Sequence, residues 1–256
     1  MKVSARTPVA AKSPAAQSNR GVVRALLYAL VLGAVVAGFF LGTAPGEAGA
    51  APTGITTTDC ADVEVVFARG TFEGPGVGKV GQPFVDALQQ RLPDRTVNVY
   101  AVSYPASLDF ARAADGVLDA SNRVRFLAAN CPSTDIVLGG YSQGAAVSGY
   151  VASETVPADY ALPAGLTGPL PPAVADRVAA VALFGKPSAG ILGLLHRGAP
   201  PIAVGAAFAG KTIDLCAAQD PVCETGSLDR AAHSAYTTNG MTQQAADFVV
   251  SRLPNR

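Results

Sequence analysis

Residues 135–144 read DIVLGGYSQG, and the fold follows from them. Residues 135–139 are a short apolar run of strand character. Gly140-Tyr141-Ser142-Gln143-Gly144 continues it without a break, and residues 144–153 have the composition of a helix. A G-x-S-x-G set between a strand and a helix is a very sharp turn, and its glycines avoid Cβ clashes that other residues would make. Such a turn lifts the serine hydroxyl out at the carboxyl end of a sheet. The helix start behind it offers unpaired N–H groups and a positive dipole end, both suited to a developing oxyanion. Ser142 is therefore the candidate nucleophile. The five residues taken alone are also compatible with an ordinary serine in a Gly-rich turn.

The same alternation of strand and helix recurs on both sides of this turn. Residues 63–69 (VEVVFAR) are β-branched and apolar and end at Gly70. Residues 82–92 place Phe84, Val85 and Leu88 at helical spacing. Residues 97–104 (VNVYAVSY) alternate with period two and stop at Pro105. Residues 109–130 carry apolar groups at helical intervals. Residues 177–185 and 211–215 read as two more strands, and 241–253 as a closing amphipathic helix. Short apolar strands separated by helices predict an α/β fold: a small, mostly parallel sheet of about five strands with helices on both faces. Residues 156–172, rich in Pro, and 187–210, rich in Gly and Ala, fit no element and are expected as loops, which on a rigid sheet often carry function.

Of the 256 residues, 49% are hydrophobic and 15% charged, enough for one well-packed domain. Residues 1–50 hold five basic residues and one acidic; the rest hold 14 basic and 18 acidic, a net of −4. No basic patch stands out there, which argues against nucleic acid as a partner. Residues 25–42 (ALLYALVLGAVVAGFFLG) are uncharged, follow Arg20 and Arg24, and lead to Ala48-Gly49-Ala50. That is the pattern of a signal peptide cleaved near Ala50, leaving a domain over 51–256. An uncleaved membrane anchor through 25–42 is the competing reading, and the run is at the short end for a span. Either one exports the remainder. Four cysteines, at 60, 131, 216 and 223, then suit a disulfide framework. With two histidines and no C-x-x-C pair, no metal site is expected.

A serine hydroxyl needs a base to become a nucleophile. The two candidates are His196, in a Gly/Pro-rich stretch where it reads as a solvated loop residue, and His233. Enzymes built on this turn order their triad as serine, acid, histidine along the chain. Asp214, Asp220, Glu224 and Asp229 all lie between Ser142 and His233. Asp220 stands inside Cys216-Ala-Ala-Gln-Asp220-Pro-Val-Cys223, where a disulfide would close a small rigid loop around its carboxylate; it also reads as a turn residue before Pro221. An oxyanion hole needs a second donor beside the backbone N–H of Gln143, and the loop after an early strand supplies it. Here that loop is residues 69–76, in which Thr71 offers both an N–H and a hydroxyl. The loop lacks the G-K-[ST] or G-x-G-x-x-G of a nucleotide site.

Taken together, FARGT (67–71), GYSQG (140–144), LFGKP (183–187), C-x3-D-x2-C (216–223) and AAHSAY (231–236) resemble the cutinases, most closely the exported cutinase-like serine esterases of mycobacteria and related actinobacteria. The pieces run in order over residues 60 to about 236. The resemblance implies an α/β-hydrolase fold without a large cap domain. It implies a triad of Ser142, Asp220 and His233, with Thr71 and Gln143 at the oxyanion hole. It implies the disulfides Cys60–Cys131 and Cys216–Cys223, and no cofactor. The expected activity is hydrolysis of carboxylic esters with short-to-medium acyl chains, or of lipids, by a secreted monomer working at a cell wall, envelope or membrane surface. An acyltransferase onto a sugar or lipid alcohol and a non-enzymatic surface lipid-binding protein are the alternatives. Residues 187–210 are a departure, long and apolar, and are expected either to cover part of the site or to pack at its periphery.

Overall fold

The computed structural model describes residues 60–156, 161–162 and 164–255; the leader expected over 1–50 lies outside them. Five strands, β1 (Val63–Ala68), β2 (Val97–Ala101), β3 (Asp135–Tyr141), β4 (Val178–Phe184) and β5 (Thr212–Leu215), form one parallel sheet in the order β2-β1-β3-β4-β5. Their side chains alternate between two cores. Val66, Ala68, Ile136, Leu138, Val181 and Leu183 pack with helices α2 (Ala113–Asn130) and α3 (Gln143–Val151). Val65, Phe67, Val137, Ala182 and Phe184 pack with α1 (Gly78–Arg91) and α7 (Met241–Arg252). Both faces are therefore apolar, which is why the central strands β1, β3 and β4 read as largely apolar runs, while the edge strand β2 alternates.

The strand order positions the site. From β1 the chain moves to β2 on one side of the sheet, and from β3 to β4 on the other. Where connections diverge in this way, a crevice opens outside the carboxyl ends of the two central strands. The register pairs Ala68 with Gly140, so the loop after β1 and the turn after β3 leave the sheet side by side. The fit is close. A Cβ on Gly144 would sit 1.9 Å from the Ala68 carbonyl oxygen, so only glycine lets α3 start there.

Several boundaries differ from the sequence reading, each for a local reason. β2 stops at Ala101 rather than 104, because the chain turns to clasp the end of β1. There Val102 N–H donates to Phe67 O (3.0 Å), the Arg69 guanidinium donates to the carbonyls of Val102 (3.2 Å) and Tyr104 (2.5 Å), and the Tyr104 hydroxyl donates to Arg69 O. α1 begins at Gly78, a turn before residue 82, with the Glu73 carboxylate accepting from Lys79 N–H at 2.9 Å. A 3₁₀ turn, Phe110–Arg112, precedes α2. Residues 187–210 are not a plain loop: they hold α5 (Ala189–Leu195) and α6 (Ala206–Ala209). Ser188 caps α5, its hydroxyl accepting from Ile191 N–H at 3.4 Å. Gly190 and Gly193 in AGILGLL mask that helix in the sequence. The end of 156–172 likewise turns into the short α4 (Pro172–Ala175).

Both expected disulfides are formed, Cys60–Cys131 and Cys216–Cys223, with Cα separations of 5.6 and 5.8 Å. The first ties the start of β1 to the end of α2 across 71 residues, and a loop of that length restricts the unfolded chain by about 4 kcal/mol. No helix among the described residues is long and apolar enough to cross a membrane.

Candidate active site

Ser142 sits at the tip of the β3–α3 turn with φ 55° and ψ −119°. That is left-handed backbone for an L-residue, and such strain costs of order 1–3 kcal/mol. The surroundings hold it: Ser142 N–H donates to Phe184 O (2.9 Å), and its carbonyl accepts from Ala146 N–H (3.1 Å). The side chain is left at the start of α3, at the carboxyl edge of the sheet.

His233 arrives from the 3₁₀ segment Ala232–Thr237. Its Nε2 lies 2.9 Å from Ser142 Oγ, and its Nδ1 lies 2.8 and 2.9 Å from Asp220 Oδ2 and Oδ1. The imidazole stacks on Tyr141 with ring centres 5.0 Å apart, and the Tyr141 hydroxyl donates to His233 O at 2.5 Å. Asp220 is wholly buried inside the ring closed by Cys216–Cys223. It also accepts from the Tyr236 hydroxyl (2.6 Å) and from Val222 N–H (2.9 Å). Burial alone pushes this carboxyl upward, but the hydrogen bonds from His233, Tyr236 and Val222 and the charge of His233 outweigh it and hold the group below its ordinary value of 3.8. Burial and the Asp220 hydrogen bond push the Tyr236 phenol upward. Asp220 is thus an ionised acceptor held by three donors, the arrangement that fixes an imidazole tautomer and stabilises imidazolium.

The other candidates lie elsewhere. Asp214 pairs with Lys186 (3.2 Å), Glu224 accepts from Gln219 N–H (2.5 Å), and Asp229 accepts from Ala231 N–H (2.9 Å). None hydrogen-bonds to His233. His196 is the C-cap of α5, half-buried against an apolar cavity rather than free in solvent as its sequence context suggests.

Thr71 is half-buried in the loop that leaves β1, three residues past the strand partner of Gly140. The Glu73 carboxylate holds that loop by accepting from Gly70 N–H (2.6 Å) as well as from Lys79 N–H. Gln143 opens α3, with its backbone N–H in the first helical turn, where no intrahelical acceptor is available. Its side chain is 1% exposed and donates from Nε2 to Ser107 O (2.9 Å), tying the loop after β2 to the turn.

The sequence alone singles out no role for Tyr141, Tyr236, Glu73 or Gly185. One signal for Tyr236 is present in it: in a 3₁₀ helix residues three apart share a face, and His233 and Tyr236 are three apart. Gly185, in LFGKP, has φ 59°, and a Cβ there would lie 2.9 Å from Tyr236 Oη, 3.0 Å from Asp220 Oδ2 and 3.2 Å from His233 Cε1. Only a residue without a side chain leaves room for the three groups to meet. Tyr236→Phe removes one donor from a buried carboxylate and the acceptor of Ala217 N–H (3.0 Å). A hydrogen bond to a charged group is worth about 1.5–3 kcal/mol. Denaturant unfolding is expected to show a loss of that size, and kcat on an activated ester to fall by at least about tenfold.

The family model described as Cutinase matches residues 59–253. The chain is similar to carboxylesterase Culp1 of Mycobacterium tuberculosis, with 47% identity over 195 residues covering 76% of this chain and 82% of that protein. It is similar to phospholipase Culp4 of the same organism, with 48% identity over 194 residues covering 76% of this chain and 80% of that protein. Among solved structures, a Trichoderma reesei cutinase in complex with a C11Y4 phosphonate inhibitor superposes with a TM-score of 0.59 and 34% identity, covering 77% of this chain and 78% of that one.

Proposed function

The chain belongs to the cutinase family, and from that premise we propose that it is an exported serine esterase acting through an acyl-serine on short-to-medium acyl esters or lipids. The family membership and its carboxylesterase-named relatives make it a carboxylic ester hydrolase. The observation that supports the mechanism is the hydrogen-bonded chain from Ser142 Oγ through His233 to Asp220.

Ser142 Oγ attacks the ester carbonyl carbon while His233 Nε2 takes its proton. The carbonyl oxygen becomes an oxyanion, held by the backbone N–H of Gln143 and by Thr71; losing one such donor costs on the order of 10²–10³ in rate. The C–O bond to the alcohol breaks as His233 returns the proton to that oxygen, leaving the acyl group on Ser142. Water then attacks, His233 takes its proton, and the free acid leaves as Ser142 Oγ is reprotonated. Asp220 stays ionised throughout and carries the imidazolium.

Apolar side chains near the site favour an apolar substrate or a lipid surface. Phe72, Leu108 and Leu228 are 76%, 64% and 91% exposed; they flank Thr71, Ser107 and the segment leading to His233 respectively. The two disulfides suit an oxidising, extracellular compartment. The test is product analysis with purified protein, an acyl ester, and a sugar or lipid alcohol as competing acceptor. Release of free acid in proportion to ester consumed is expected. Recovery of the acyl group on the added alcohol would make the protein an acyltransferase instead.

A further inference from the structure

Tyr141 ends β3 and immediately precedes Ser142. Its side chain belongs to the core on the α1 and α7 face of the sheet, with Phe184 and Tyr236. It is 4% exposed, yet it does more than fill space. Its ring stacks on the His233 imidazole, 5.0 Å centre to centre with 26° between the planes, and its hydroxyl donates to His233 O at 2.5 Å. One side chain thus touches both the ring and the main chain of the general base.

The Tyr141 ring has supports of its own. A Cβ on Gly70 would lie 2.7 Å from Tyr141 Cδ1, so the loop leaving β1 packs directly on it. Tyr236 meets it edge-on at 5.7 Å. Lys79 Nζ lies 5.5 Å from the ring centre and donates to Ser234 Oγ at 3.3 Å, which ties the residue after His233 to α1. Burial, with the charges of Glu73 and Asp220 nearby, pushes the Tyr141 phenol upward, so its hydroxyl stays a neutral donor.

His233 needs such a support. It lies in the 3₁₀ segment Ala232–Thr237, and the four residues 228–231 leading to that segment's start are exposed. The Asp220 carboxylate fixes the tautomer, but it holds the ring at one atom, Nδ1. A tilt of the ring about that atom would carry Nε2 out of line with Ser142 Oγ, 2.9 Å away. A wall against the face of the imidazole opposes the tilt. Proton transfer then makes the ring a cation, and an aromatic face attracts a cation, so the stack strengthens as the reaction proceeds.

We propose that Tyr141 is a positioning residue for His233: its hydroxyl anchors the His233 main chain, and its ring holds the imidazole plane with Nε2 aimed at Ser142 Oγ. The proposal rests on the acyl-serine mechanism above. The G-x-S-x-G turn then provides both the nucleophile and, one residue earlier, the support of its base.

Two variants separate the two contacts. Tyr141→Phe keeps the stack and loses the hydroxyl, whereas Tyr141→Leu loses both. On a nitrophenyl acyl ester, Tyr141→Phe is expected to lower kcat about three- to tenfold, the size of one hydrogen bond. Tyr141→Leu is expected to lower it about 10²-fold, as a base displaced by about 1 Å does. KM should stay within about twofold of wild type in both. The deciding measurement is the rate at which a fluorophosphonate labels Ser142, with and without His233. Labelling should slow in each Tyr141 variant as kcat does. In a His233→Ala background, adding Tyr141→Phe or Tyr141→Leu should change the residual rate by less than about twofold, because the residue acts through the missing base. A further drop as large as in the His233 background overturns the proposal, since Tyr141 then acts through the Gly70 loop or through packing alone. Wild-type kcat in folded Tyr141→Phe and Tyr141→Leu overturns it too. If Tyr141→Leu does not fold, the same comparison is made with Tyr141→Phe, and wild-type kcat there is decisive. An active wild type beside unaffected variants refutes only the role of Tyr141. A folded wild type that neither turns over esters nor is labelled at Ser142 refutes the mechanism as well.

Discussion

Replacing Ser142 with alanine is expected to lower kcat on a nitrophenyl acyl ester by about 10⁶-fold while the protein remains folded. Loss of a triad nucleophile leaves only binding and oxyanion stabilisation, which is why effects of that size are seen in serine hydrolases. Stability should change little. Alanine inherits the left-handed backbone at φ 55°, so the strain persists, and the substitution removes the part-buried 2.9 Å hydrogen bond between the hydroxyl and His233. Steady-state kinetics beside thermal unfolding separates the two effects. Ser142→Gly relieves the strain and is expected to unfold at a higher temperature than Ser142→Ala, with equally low activity.

Asp220→Asn is expected to cost about 10⁴-fold in kcat. The buried carboxylate accepts from three groups: His233 Nδ1, the Tyr236 hydroxyl and Val222 N–H. An amide presents one acceptor oxygen and an NH₂ to the same three donors. If its nitrogen faces His233, the imidazole is driven to the tautomer with a proton on Nε2, which cannot accept the Ser142 proton. If its oxygen faces His233, the NH₂ is set against Tyr236 or Val222. The same substitution has a signature in pH. Because the folded-state pKa of Asp220 is depressed, the group stabilises the fold above the ordinary carboxylate value of 3.8, and that stability is lost as pH falls through the lower folded-state value. Wild type and Asp220→Asn should therefore differ most in unfolding free energy near neutral pH and converge in acid. A difference that does not narrow would mean that Asp220 is not held as an ionised acceptor.

Much of this arrangement is legible in the sequence because it is local. DIVLGGYSQG marks a strand, a turn and a helix within ten residues, and the alternation of apolar strands with helices points to a small, mostly parallel sheet of about five strands, which in the structure is five strands, all parallel. The spacing of Cys216 and Cys223 around Asp220 points to one carboxylate among four, and the family pattern gives it a role. What is not legible depends on long-range contact. β2 ends early because Arg69 and Tyr104 clasp each other across 35 residues. Nothing near Gly185 in the chain says that Asp220, His233 and Tyr236 converge on it. α5 is hidden because helix-weakening glycines dilute its periodicity, while the Ser188 cap and the burial of Leu192 stabilise it in three dimensions. His196 reads as solvated because Arg197, Gly198 and the prolines that follow suggest an open loop, but in space it is half-buried against apolar residues.

Ser142 Oγ is expected to be the atom that carries the acyl group, and that assignment underlies every step above. It is tested most directly by treating the folded protein with a fluorophosphonate probe and locating the adduct by peptide mass spectrometry. One adduct is expected, on Ser142, formed in step with loss of esterase activity and slowed when His233 or Asp220 is replaced. An adduct on another residue, or full esterase activity in protein whose Ser142 is quantitatively modified, would contradict it.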